Sequence, residues 1–569
     1  MRRSSGFAAA LLATTCLATP LVAQTVWPDE GPRTWKARRT EAAITANDLR
    51  TRLYQLADDS MKGREVGTLG NVMATNYIAA EFKRMGLLPA GENNTYFQEL
   101  AYGRLAFNEQ RVRLQLGDTP LAPSLDWAPL APNAGTRITG QANISAISTV
   151  FGGRYGDTTV VLDPAMIRGR VVVFTTLTSP AGGARGGAPI GKLTAAQDAG
   201  AAAILLISAE IPAAAFRERV AVMPSVGGNT VGAAITLQTA ERLFGMPVAD
   251  LTVGVTGQSV SGTWSYELTP LEYPTRNVLA ILPGADARRK GQYVVIGAHS
   301  DHVGMVRGSV VPDHDSLRAF NTVLRPQGAN DRVAIDAVTP AQWGEVNALI
   351  AKARMIRTPR PDTVNNGADD DGSGTVVMLE IAEQLAAGPR PARSILFNSH
   401  AAEEKGLLGS SWWTEHPTIP LDSVVAAHNM DMLGKGRVSD VKFGGPNTVQ
   451  MLGSRRVSLE FGDMIDSLNA VRSESMVIDY SWDRTNRLNR FCRSDQVSYI
   501  RKGIPTTYFS TGYSRDYHQA TDEPQYINYD QSARVGRFVH DIVRAVANRA
   551  ERLPILPREQ QDPAARCGA

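Results

Sequence analysis
The sequence predicts an α/β fold: a mostly parallel central sheet covered by helices on both faces, interrupted by a second, mixed α/β module. Three observations carry this. Short apolar runs of strand length recur between 276 and 512, and several end in acidic or imidazole side chains. Longer apolar stretches of helical length lie between them, the alternation from which parallel sheets are built. From about 136 to 262 the texture changes to short β runs and glycines, which marks a module of its own.

At 569 residues, with 43% hydrophobic and 20% charged side chains, the chain is long enough for more than one core. Its 59 Lys and Arg nearly balance 56 Asp and Glu, and no basic run or aromatic-basic interleaving occurs. Nucleic acid is therefore not an expected partner.

The N-terminus "MRRSSGFAAALLATTCLATPLVAQ" has two arginines, a short apolar stretch and a small-residue site ending at Ala23, the pattern of an export signal. Residues 1–23 are expected to be removed and the mature protein to be exported, to a periplasm or the extracellular space. Thr and Pro interrupt the apolar stretch, and no later segment is long and apolar enough to span a bilayer, so stable membrane insertion after cleavage is not expected. Cys492 and Cys567 then remain, and with Cys567 in a C-terminal tail (551–569) the sequence leaves their pairing open.

Residues 44–91 read as two helices about a Gly-rich turn. Leu49, Leu53 and Leu56 share one helical face, and Ile78, Phe82 and Met85 share another. "IRGRVVVF" and "KLTAAQDAGAAAILLI" then give the inserted module its strands and a small-residue helix. In the C-terminal half, "YVVIGA" runs into His299 and Asp301, "SILFNSHAA" into Glu403 and Glu404, "SVVAAHNM" into Asp431, and "PTTYFSTG" leads toward Tyr517 and His518. Ligands of open α/β sheets bind at the carboxyl ends of strands, so all four runs deliver polar groups to one rim.

Between the first two runs lies "NNGADDDGSGTVVMLEIAEQL", three consecutive aspartates opening an apolar helix. A helix N-terminus offsets only part of their mutual repulsion, and a cation is the simplest remedy. Two imidazoles and three or four carboxylates on one rim form the N/O ligand set that zinc accepts, with enough donors for two ions if one carboxylate bridges. Asp431, set in the apolar run "HNMDMLG", poses the same problem, because a charge there is costly unless something pairs with it.

Taken in order, "GAHSDHVG", "GADDDGSG", "AAEEKGLLGS", "NMDMLG" and "YHQATDEP" resemble the motifs of the M28 family of dinuclear zinc peptidases, over roughly 40–135 and 265–545. The stretch 136–262 resembles an inserted protease-associated domain. The resemblance implies a three-layer zinc-peptidase fold, with 24–135 as the N-terminal part of the peptidase domain and 263–550 as the rest, two Zn²⁺ per chain, and peptide or protein substrates. Carried onto matching positions, it makes His299 and Asp431 ligands of one ion, Glu404 and His518 of the other, and Asp370 the bridge. Glu403 would be the general base, and Asp301 would orient His299 through its second ring nitrogen.

Other candidates carry less. Ser373 and Ser410 lack the strand-turn-helix setting of a nucleophile elbow. His302 is expected behind the ligands or on the rim, Asp369 and Asp371 to shape the turn, and His314, His400, His416, His428 and His540 to be structural or superficial. Tyr517 either reaches the substrate pocket or packs. The segment from Asp301 to Asp370 exceeds the short loop expected in the family, so it lies near the rim as a lid, a wall or a dimer contact. Aminopeptidase activity is the favoured expectation. The arginines of "WDRTNRLNRFCRSD" (Arg484, Arg487, Arg490, Arg493) keep a carboxypeptidase reading open, because arginine binds carboxylates. A glutaminyl-cyclase-like acyltransferase would use one zinc, and a receptor-like binding protein would have lost ligands or the base.

Overall fold
The computed structural model describes residues 25–107, 111–130, 141–154, 163–175, 195–197, 199–209, 211, 219–222, 231–325, 328, 333–435, 445, 447–483, 490–561 and 567. The expected signal 1–23, Arg484 and Arg487 lie outside them.

Nine strands form the larger sheet: β1 (Leu88–Pro89), β2 (Phe97–Glu99), β3 (Arg276–Leu282), β4 (Tyr293–His299), β5 (Ser394–His400), β6 (Val424–Met430), β7 (Thr448–Leu452), β8 (Val477–Asp479) and β9 (Thr506–Ser510). The order is β1-β3-β5-β4-β6-β9-β7-β8, with β2 also on β3. The four central strands β5, β4, β6 and β9 are mutually parallel, whereas β3 and β7 join them antiparallel. These central strands are the four apolar runs of the sequence, and they are continuously apolar because both faces are covered.

Six helices position the rest: α1 (Ala46–Leu56), α2 (Leu69–Arg84), α3 (His314–Leu324), α4 (Pro340–Ile356), α5 (Gly374–Ala387) and α6 (Tyr529–Asn548). Thr45 starts α1 by accepting the Asp48 N–H (3.2 Å), a side-chain cap on an otherwise orphaned donor. Leu49, Leu53 and Leu56 of α1 and Ile78 and Phe82 of α2 pack with α5 and α6 on Val294, Ile296 and Phe397. Val295 and Leu396, one residue out of step, face the other side with Trp413 and Tyr499. This two-residue alternation makes the domain three-layered.

The second sheet draws its strands from Tyr102–Phe107 through Thr256–Pro270, a wider span than the expected 136–262. The long strand Thr256–Pro270 pairs antiparallel with both Tyr102–Phe107 and Gln141–Arg154, so residues before 136 that read as peptidase scaffold are knitted into the inserted module. Trp127, Trp264 and Phe151 anchor its separate core. The chain leaves and rejoins the larger sheet at adjacent positions: Glu99 pairs with Arg276, and the Leu100 N–H bonds the Thr275 carbonyl at 2.9 Å.

The long segment after Asp301 contributes α3 and α4, packed on each other and, with Val26, Trp27 and Tyr526, enclosing a small apolar cluster. Trp27 donates its indole N–H to Asp315 (3.0 Å), and Arg318 reaches Asp516 (2.8 Å). These helices therefore brace the segment that carries His518. Cys492 and Cys567 are joined in a disulfide, with Cα atoms 5.6 Å apart, so the tail is tied back to the body.

Candidate metal centre
Parallel strands end on one edge, and here that edge carries the polar residues. His299 closes β4, Glu403 and Glu404 follow β5, Asp431 is the first residue after β6, and His518 lies beyond β9. Asn429 pairs with Gly297, and the same register brings Asp431 level with His299.

Asp370 arrives from the turn before α5, which its neighbours clip to the rim. Asp371 accepts the backbone N–H groups of His299 (3.1 Å), Gly374 (2.9 Å) and Met432 (3.2 Å). Asp369 accepts that of Gly434 (2.6 Å). A Cβ on Gly374 would lie 2.4 Å from the Asp371 carboxylate and 2.5 Å from the Met430 carbonyl, so only glycine fits there. Asp369 and Asp371 thus shape the turn through hydrogen bonds that link the ends of β4 and β6 to the start of α5.

Two clusters result, and they share Asp370. His299, Asp370 and Asp431 form one, with His299 Nε2 3.3 Å from Asp370 and 3.7 Å from Asp431. His302, Asp370, Glu404 and His518 form the other, with His518 Nε2 3.0 Å from both Asp370 and Glu404. The adjacent glutamates diverge. Glu404 enters the second cluster, while Glu403 stands 3.9 Å from His299 Nε2.

Asp301 differs from its expected geometry. His299 Nδ1 meets the backbone carbonyl of Asp301 at 3.1 Å, and the nearer carboxylate oxygen is 3.7 Å away. That carboxylate instead accepts the N–H groups of Glu403 (3.1 Å) and Glu404 (3.3 Å). Sequence spacing placed Asp301 beside the imidazole but could not show that the turn after β5 would present two orphaned donors to it.

The electrostatics express crowding. Burial opposes protonation of His299, but Glu403 and the carboxylates of Asp301, Asp370 and Asp431 hold its imidazole well above the usual range. Burial likewise opposes His518, yet Asp370 and Glu404 push it up to about 10. Burial lifts Glu403 well above an ordinary carboxyl, with Glu404, Asp431 and Asp495 adding to the lift and His299 opposing it. Asp370 is pulled well below by His299 and His518 against its burial.

The inward atoms are also unsatisfied. Among the described residues, His299 Nε2, Asp370 Oδ2, Glu404 Oε1, Asp431 Oδ1, His518 Nε2 and both ring nitrogens of His302 are buried with no hydrogen-bonding group beyond one another. Buried polar groups are ordinarily paired, and orphans turned toward common points are what cation ligands become when the cation is taken away. Nitrogen and carboxylate donors at this spacing fit zinc.

His302 is the residue whose place the sequence reading missed. It was expected behind the ligands or on the rim, but it is fully buried within the second cluster. Gly367 carried the available signal, because a Cβ there would meet the His302 ring at 2.4 Å. Tyr517 stacks on His518 at 3.9 Å between ring centroids. Arg490 is buried against Trp482 and Tyr513, whereas Arg493 is exposed, 5.0 Å from the Tyr513 ring. His314 binds Asp362 (2.7 Å) and Tyr526 (2.8 Å), and His400 binds Tyr499 (2.8 Å), all structural contacts.

Comparison with known proteins bears on this rim. Residues 277–543 match the model of peptidase family M28. A probable leucine aminopeptidase of Trichophyton verrucosum is 34% identical over 113 residues, 19% of this chain and 32% of that protein. Leucine aminopeptidase 1 of Sclerotinia sclerotiorum is 26% identical over 256 residues, 41% of this chain and 63% of that protein. This chain thus spans about a third of the first curated relatives it matches. Among solved structures, BSAP, a zinc aminopeptidase from Bacillus subtilis, aligns over 90% of this chain and 97% of its own with a TM-score of 0.42 and 17% identity.

Proposed function
Because the chain carries a peptidase family M28 domain at residues 277–543, we propose that it is an exported dizinc exopeptidase that removes residues from the N-termini of peptides. The observation that carries this reading is the set of buried, unpartnered ligand atoms in two clusters joined by Asp370. His299 and Asp431 would hold one ion, Glu404 and His518 the other, and Asp370 would bridge. The shared carboxylate favours two ions over the single zinc of a cyclase. The inserted module is read as a protease-associated domain.

Bound there, zinc would polarise the scissile carbonyl and lower the pKa of the attacking water. Every other step belongs to the chain. Glu403, lifted above the usual carboxyl range by its surroundings, takes the proton from the water and passes it to the departing amine, the action of a general base turned general acid. Asp301 fixes the backbone from which Glu403 projects. Tyr517 holds the His518 ring by stacking on it.

Export is supported by the N-terminal pattern of the sequence and by the Cys492–Cys567 disulfide, a bond suited to an oxidising compartment. One observation favours a second reading, a carboxypeptidase. Arg493 is exposed, makes no ion pair with a described residue, and lies in the electrostatic field of Glu403, where it could receive a substrate carboxylate. Incubating the mature protein with a mixed peptide library and reading the products by mass spectrometry separates the two. Chelator-sensitive loss from the N-terminus supports the aminopeptidase, and loss from the C-terminus selects the alternative. No trimming by a zinc-loaded sample overturns both.

A further inference from the structure
We propose that His302 is a direct ligand of the second ion, so that this ion is held by His302, Glu404, His518 and the shared Asp370. The inference rests on the dizinc reading and goes beyond its ligand set, which has only Glu404, His518 and the bridge at that position.

Three observations point to it. First, His302 is 0% exposed, and among the described residues its ring nitrogens meet no hydrogen-bonding group outside the cluster. A neutral imidazole carries one donor and one acceptor, and leaving both unmet in a protein interior is costly. Second, Nδ1 lies 2.9 Å from Glu404 Oε1 and 3.8 Å from Asp370 Oδ2, and each of His302, Asp370, Glu404 and His518 offers a ligand atom, all within 4.8 Å of one another. Convergence of four such side chains is the relation among the corners of a coordination polyhedron. With bonds of about 2.0–2.1 Å, the corners of a tetrahedral zinc site lie ~3.4 Å apart. The contacts among the four side chains, from 2.9 to 3.8 Å, straddle that separation.

Third, the position of the ring is built into the backbone. The His302 N–H points to the Arg64 carbonyl (3.4 Å), and Gly367 leaves the space the ring fills. The ring meets His518 edge to face at 5.4 Å, so the two imidazoles converge on one region.

The two ions would then be unequal. Four protein ligands close the second position in the manner of a structural site, whereas His299, Asp431 and Asp370 leave the first with a vacancy, the pattern of a catalytic one. Substrate would meet the first ion, and the second would be the tighter and slower to leave.

Cobalt(II) substitution of the mature protein, followed by proton NMR, tests this without reference to turnover, since each coordinated imidazole gives one strongly shifted, exchangeable N–H resonance. Three such resonances are expected in the dicobalt protein, and two after His302→Ala. Zinc titration with a competing chelator should show one of two binding steps weakened more than 100-fold in His302→Ala. That exceeds the 10–100-fold cost of losing an outer hydrogen-bond partner. Two resonances in the unaltered dicobalt protein would overturn the inference and leave the dizinc reading standing, even if the variant does not fold. Binding of a single ion, or of none, would overturn both.

Discussion
The carboxylate of Asp301 accepts the backbone N–H of Glu403 at 3.1 Å while standing 3.7 Å from the His299 ring it was expected to orient. It therefore acts mainly on the turn that aims the two glutamates. Asp301→Asn would replace one acceptor oxygen by an NH₂ facing a backbone donor. We expect kcat to fall about 10–100-fold, with zinc content kept, as measured by elemental analysis beside initial rates.

Glu403 is outside both ligand clusters. Glu403→Gln keeps the shape and removes the base, so kcat should drop about 10²–10⁴-fold with zinc stoichiometry and melting temperature nearly unchanged. A variant that also loses an ion would show that Glu403 is a ligand instead.

Arg318 reaches from α3 to the buried Asp516, two residues before His518. Arg318→Met would leave Asp516 with Thr521, Lys435 and the field of Arg515 among the described residues. Breaking a buried pair from one side costs about 3–5 kcal/mol, and the remaining partners place this case at the low end. Chemical denaturation measures the loss, and weakened zinc retention would show that it reaches His518.

His428 is buried between Phe461 and Phe509, and burial alone pushes its imidazole down to about 3. A folded-state value below the unfolded one means that protonation favours the unfolded chain. Its contribution is therefore intact above about pH 6.5 and is lost as pH falls toward 3. At pH 5 the loss is about 2 kcal/mol, from 1.36 kcal/mol per pH unit. His428→Gln should flatten the fall in unfolding free energy between pH 6.5 and 5 relative to the unaltered protein. An equal fall in unfolding free energy between the two pH values in both proteins, measured by urea denaturation, would contradict this.

The disulfide spans a sequence separation of 75 residues, and removing such a link costs about 2–5 kcal/mol. Cys567→Ser should melt at a lower temperature, and a reducing agent should lower the melting temperature of the unaltered protein only.

Most of the rim was legible because its signals are local. An apolar run of strand length ending in His or Asp states both the strand and the end from which the ligand projects, and three successive aspartates demand a counter-charge wherever they lie. His302 was not legible, since one extra imidazole beside a ligand reads equally as support, and only the space left at Gly367 separates the cases. The wider span of the second sheet was not legible because Tyr102–Phe107 and Arg113–Leu116 are short and join it by pairing with a strand more than a hundred residues later. The tie to Cys567 likewise needed the fold, which brings a tail and a rim loop together.

The chain leaves the larger sheet for the inserted one and returns to it at one antiparallel junction, Glu99 beside Arg276. In topological terms it is a hairpin loop that became a domain. Loop-closure entropy grows only with the logarithm of loop length, so an interruption of this kind burdens assembly of the surrounding body lightly. The junction is also a cutting point: excising 101–274 and joining Leu100 to Thr275 through a two-residue turn would regenerate an ordinary hairpin. The module is thus exchangeable cargo, though a trade would also have to replace Tyr102 and Leu271, which pack with Val66, Leu100 and Ala402 beside the turn that carries Glu403.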